Sequence, residues 1–76
     1  MTDAELERVV VALRAGKRFG IRGADGEWGY ERAPDGRYRG WSHVPYEDAP
    51  DRLVDEDEVR RDLAPLSFEA VWAALR

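Results

Sequence analysis

Acid–base chemistry in this chain would have to centre on His43, the one histidine among 76 residues that include no cysteine. Ser42 precedes it, and Glu47 and Asp48 follow closely enough to orient an imidazole. The spacing does not make a serine–histidine dyad, because neighbours on a strand point to opposite faces. A surface or capping histidine is the plainer reading. Without cysteine, disulfides and thiolate metal sites are excluded, and the D-x-D-x-D-G pattern of a calcium loop is missing. GIRGADG, residues 20–26, leads towards a strand, whereas phosphate loops lead into a helix. The chain therefore reads as non-enzymatic, with no catalytic residue, metal or cofactor assigned.

Binding chemistry is better represented. Arginine and aromatic residues interleave through Arg18, Arg22, Tyr30, Arg32, Tyr38, Arg39 and Trp41. Arg, Tyr and Trp dominate the energetic centres of protein interfaces, and they also stack on unpaired bases. The plainer alternative is a core of aromatics whose edges are covered by arginine stems. Gly20, Gly29 and Gly40 recur at strand positions, where a bare strip would let a partner approach the backbone, or would simply ease sheet twist. The candidate sheet-face site is Arg18, Gly20, Arg22, Tyr38 and Gly40, joined by Trp28 and Tyr30 if these turn outward.

A second candidate is the acidic flank of Glu47, Asp48, Asp51, Asp55 and Asp57, which suits a basic partner. Its plainer role is a solvated loop followed by acids at a helix N-terminus. Between Val44 and Asp62 there are eight acids against three arginines, whereas Lys17 to His43 holds six basic residues against four acids. That asymmetry also permits a homodimer. With a net charge of −4 the chain is a poor non-specific binder of nucleic acid, which must be neutralised by cations. The favoured function is a protein-binding regulator, inhibitor or adaptor. Single-stranded nucleic-acid binding by an exposed Arg/aromatic face is the alternative.

The elements that must position these residues follow from periodicity and capping. Residues 2–15 read as a helix, with Thr2 and Glu5 at capping-box spacing, an apolar stripe of Leu6, Val9, Val10 and Leu13, and Gly16 as its stop. Three strands follow at about 17–22, 27–32 and 37–42, joined by the turns GADG and APDG. Pro45 and Pro50 argue against a central strand at 43–54, although Leu53 and Val54 would serve a short fourth edge strand. Asp55 caps a helix ended by Pro65, and Ser67 caps another reaching Arg76, with Phe68, Val71, Trp72 and Leu75 as its stripe. A helix-turn-helix is rejected, because the last helix carries only Glu69 and Arg76 as charges. The expected architecture is a single α+β domain over 1–76, in the order αβββαα, with a three-stranded antiparallel meander. No apolar run is long enough to span a bilayer, and the polar N-terminus is not a signal peptide, so a soluble, cytoplasmic protein is expected.

The turns leave two registers open. Four-residue loops pair Arg22 with Glu27 and Arg32 with Arg37, and place Phe19, Ile21, Trp28, Tyr30 and Trp41 on one face. Gly20, Gly29 and Gly40 then form a row on the other. Three-residue loops with glycine bulges at Gly26 and Gly36 would move Trp28 and Tyr30 to the far face. Burial of Trp28 and Tyr30 favours the four-residue loop. In both registers Arg18, Gly20, Arg22, Tyr38 and Gly40 are expected opposite Phe19 and Ile21.

Overall fold

A computed structural model describes residues 1–44, 47–48 and 50–76. Pro45, Tyr46 and Ala49, within the stretch read above as loop, lie outside the described residues. The elements run α1 (Asp3–Arg14), β1 (Phe19–Gly23), β2 (Gly26–Arg32), β3 (Tyr38–Val44), β4 (Glu47–Asp48), β5 (Arg52–Val54), α2 (Glu56–Leu63) and α3 (Phe68–Ala73). The expected α+β class and order are observed, with an antiparallel sheet and the short edge strand in place. β4 and β5 both pair with β3, so together they make a fourth column along one edge.

Local signals act as their chemistry predicts. The Thr2 hydroxyl accepts from the Glu5 amide at 3.2 Å, and the Glu5 carboxylate accepts from the Thr2 amide at 2.8 Å, completing the capping box. At the other end Lys17 N–H donates to Ala12 O and Gly16 N–H to Leu13 O, each at 3.0 Å. That double closure is a Schellman motif, and it requires the φ of +102° that Gly16 supplies. Asp55 and Ser67 accept from the amides of Glu58 and Ala70 at 2.9 and 3.4 Å, starting α2 and α3.

The last helix is shorter than its stripe predicts. α3 ends at Ala73, and the chain beyond it pairs with the free edge of β1. Arg18 N–H donates to Arg76 O at 3.1 Å, Arg76 N–H to Arg18 O at 2.9 Å, and Gly20 N–H to Ala74 O at 3.3 Å. An unpaired strand edge offers more hydrogen bonds than another turn of a short helix would, so tertiary pairing overrides helical periodicity.

The two turns look alike in sequence and close differently. Around GADG, Arg22 opposes Glu27 and Gly23 opposes Gly26, the expected pairing. Around APDG, Arg32 opposes Tyr38, one residue beyond the expected Arg37. Ala33 N–H donates to Arg37 O at 2.8 Å, Gly36 N–H to Ala33 O at 3.2 Å, and Gly36 has φ +90°. This is a type I turn followed by a glycine bulge, with Pro34 at the position that favours type I.

The mixed register reverses β3. Tyr38, Gly40 and Ser42 share the inner face with Phe19, Ile21, Trp28 and Tyr30, while Trp41 moves to the outer face opposite Gly29. Placing Tyr38 and Gly40 opposite Phe19 and Ile21 is therefore corrected. Burial explains the choice. The bulge sends Tyr38, fully buried, into the core and lets Trp41, 8% exposed, cover the sheet's other side.

All three helices are on the inner face, where Val9, Leu13, Phe19, Tyr30, Tyr38, Val54, Val59, Leu63 and Val71 form one core cluster. The Tyr38 hydroxyl sits at its polar boundary. It accepts from Arg32 Nη1 at 2.9 Å and donates to Glu56 Oε1 at 2.8 Å. Glu56 also receives Arg14 Nε at 2.8 Å and Nη2 at 2.6 Å, so one carboxylate ties α1, β3 and α2 together. The Arg14 hydrogen bonds, reinforced by Tyr38 and opposed by partial burial, hold the Glu56 carboxyl down at about 2, against a usual 4.5. A depressed folded pKa adds stability that is fully present above the ordinary value and is lost as pH falls through the folded one. Acid denaturation is therefore expected to include a Glu56 component between pH 4.5 and about 2. Circular dichroism against pH should show that Glu56→Gln is less stable at neutral pH and has a flatter profile across that window. An unchanged profile would dismiss the carboxylate as a determinant.

Candidate functional site

The predicted sheet-face residues do not form one site. Arg18, Gly20 and Arg22 belong to the outer face, Trp28, Tyr30 and Gly40 line the inner face, and Tyr38 is core. The two faces differ in what they can offer a partner.

The outer face carries no helix, and its glycine row is occupied from within. Gly20, Gly29 and Trp41 lie opposite one another across β1, β2 and β3, so Trp41 takes the place expected of Gly40. The indole crosses the bare backbone. A Cβ on Gly29 would lie 2.5 and 2.8 Å from Trp41 ring carbons, and one on Gly20 would lie 3.4 Å away. Arg18 and Arg39 stack on the same ring, with Cζ 5.1 and 5.5 Å from its centroid. Glu31 holds both, at 2.9 Å from Arg18 Nε and 2.7 Å from Arg39 Nε, and Asp51 takes a further Arg39 nitrogen. Arg22 pairs with Glu27 at 3.4 Å. These arginines are committed to neighbouring carboxylates, and the glycine strip is a seat for the protein's own tryptophan.

The inner face is covered only in part. Beyond the helices, two hollows adjoin and share Trp28 and Ser42. One, of about 260 Å³, is lined by Trp28, Gly29, Tyr30, Gly40, Trp41, Ser42, Pro50, Arg52 and Asp62. The other, of about 340 Å³, extends over Ile21, Val44 and the β1–β2 turn. Together they make a trough with half-buried Ile21, Trp28 and Val44 in its wall. The Tyr30 ring packs over Gly40, where a Cβ would meet it at 2.8 Å. The Tyr30 hydroxyl donates to Asp62. Burial first, and that acceptor second, push the phenol up to about 12.

Sequence reasoning missed Ile21, Ser42, Val44, Arg52 and Asp62 as site residues. Asp62 had a faint signal, three residues beyond Val59 on α2 and thus next to its apolar stripe. Ser42 and His43 do point to opposite faces, beside Trp28 and Glu27 respectively. His43 is exposed. Within the acidic flank, Asp51 binds Arg39 and Asp55 caps α2, while Asp57 is exposed. Glu47 and Asp48 form β4, with Asp48 opposite His43 and Glu47 opposite Val44. Among the described residues no three His, Asp or Glu side chains are grouped to hold a metal ion, and no helix is long and apolar enough to cross a membrane. Comparison with protein-family models, curated proteins and solved structures gave no match.

Proposed function

We propose that this chain is a non-enzymatic protein-binding module, acting in the cytoplasm, that receives a segment of its partner in the inner-face trough. The observation that carries the reading is the pair of adjoining hollows sharing Trp28 and Ser42, at the end of the sheet that the helices leave open. Half-buried aromatic and aliphatic side chains in a concave wall suit a peptide better than a flat surface does. The absence of cysteine fits a reducing compartment. Single-stranded nucleic-acid binding draws less support. Trp28 and Tyr30 lie on the helix-bearing face, and Arg18, Arg22 and Arg39 already hold carboxylates that a phosphate would have to displace.

The test is a photo-crosslinking amino acid placed at Ser42, with one at Glu69 on α3 as control. A discrete protein adduct is expected from position 42 only. Unlabelled parent protein should compete it away, and folded Trp28→Ala should not. An adduct at twice the chain's mass would make the partner a second copy. Equal competition by parent and Trp28→Ala, or adducts from position 69 alone, would refute the trough as the binding surface.

A further inference from the structure

Resting on the trough reading, we infer that the narrower hollow takes one arginine side chain of the partner segment, seated between the Trp28 ring and the Asp62 carboxylate. Three observations converge on a cation. Asp62 has no Arg or Lys partner among the described residues, and its one hydrogen bond comes from the neutral Tyr30 hydroxyl. Arg52, the one cation in the lining, is offset by Glu58 at 3.3 Å. With Arg52 drawn to Glu58, which lies outside the lining, Asp62 is the one carboxylate of the hollow, and it has no cationic partner among the described residues.

Shape narrows the cation. Trp28 supplies an aromatic wall. A flat guanidinium can lie along an indole while its N–H groups reach a carboxylate, whereas an ammonium is compact and strongly hydrated. A hollow of about 260 Å³ has room for one such side chain. The adjoining hollow over Ile21 and Val44 would take an apolar neighbour in the same segment.

The test uses N-acetyl-arginine amide against its neutral isostere N-acetyl-citrulline amide, read by NMR at the Trp28 indole N–H and the Gly40 amide. Saturable shifts are expected with arginine, at least about tenfold weaker with citrulline, which corresponds to about 1.4 kcal/mol. Asp62→Asn, which keeps an acceptor for Tyr30, should weaken arginine binding by a similar factor. Arg52→Ala should tighten it, because the competing cation is gone, and this variant decides the matter if Asp62→Asn misfolds. Equal shifts with arginine and citrulline, or weaker binding by Arg52→Ala, would overturn the inference. If that happens while the adduct from position 42 persists, the trough still binds and only the arginine assignment falls. Loss of both would remove the protein-binding reading as well.

Discussion

Tyr38→Ala is expected to remove a large share of the stability of this protein. Tyr38 is fully buried in the core cluster, and its hydroxyl links Arg32 to Glu56. Truncating a buried aromatic costs roughly 3–5 kcal/mol through lost transfer energy and the cavity left behind. The whole chain would have about 4–11 kcal/mol of stability at typical values per residue. Glu56 would also lose a donor, although the Arg14 contacts would remain. Urea unfolding should show a large fall in midpoint, or no cooperative transition. Tyr38→Phe, which keeps the ring, should cost only about 1–2 kcal/mol. A Tyr38→Ala protein as stable as the parent, with a changed binding profile, would return Tyr38 to the surface and refute the bulged β2–β3 register.

The second large effect is expected at Gly29. Its α-carbon faces the Phe19 carbonyl and the Trp41 ring, and an added Cβ would lie 2.0 Å from Phe19 O as well as 2.5 Å from Trp41. Real Cβ atoms do not approach so closely, so both the β1–β2 backbone and the indole would have to shift. A cost of about 3 kcal/mol or more follows. Gly20, in the same row, is a built-in control. A Cβ there would meet Trp41 at 3.4 Å and a Glu27 oxygen at 3.6 Å, ordinary contact distances. Gly20→Ala should therefore stay within about 1 kcal/mol of the parent. Thermal melts of both variants give a sharp comparison. Equal melting temperatures would mean that Trp41 does not lie across the strip.

These two predictions differ from what the sequence reading would have proposed. On that reading Tyr38 and Gly40 were candidate contact residues, and Gly20, Gly29 and Gly40 were either a bare strip for a partner or a means of easing sheet twist. In the fold, Tyr38 is structural, Gly40 is covered by the Tyr30 ring, and the outer-face strip is filled by Trp41. The residues were the right ones to single out, because large aromatics and strand glycines are unusual enough to have a reason. Their roles depended on which face they share.

What the sequence determined by itself was everything set within a few residues. Thr2 with Glu5, Asp55 with Glu58, Ser67 and Gly16 marked helix ends, because caps are satisfied by atoms next along the chain. Alternation and the two Asp-Gly turns marked the strands, and the α+β class followed. The tertiary structure decided the rest through non-local contacts. APDG could close with or without a bulge, and the difference between turns is small beside burying Tyr38 inside and Trp41 across the sheet. Residues 74–76 were helical by pattern, yet the open edge of β1 drew them into backbone pairing. The trough was invisible in the chain for the same reason. It exists because three helices cover only part of one sheet face, and no local signal says where a helix will stop covering its neighbour.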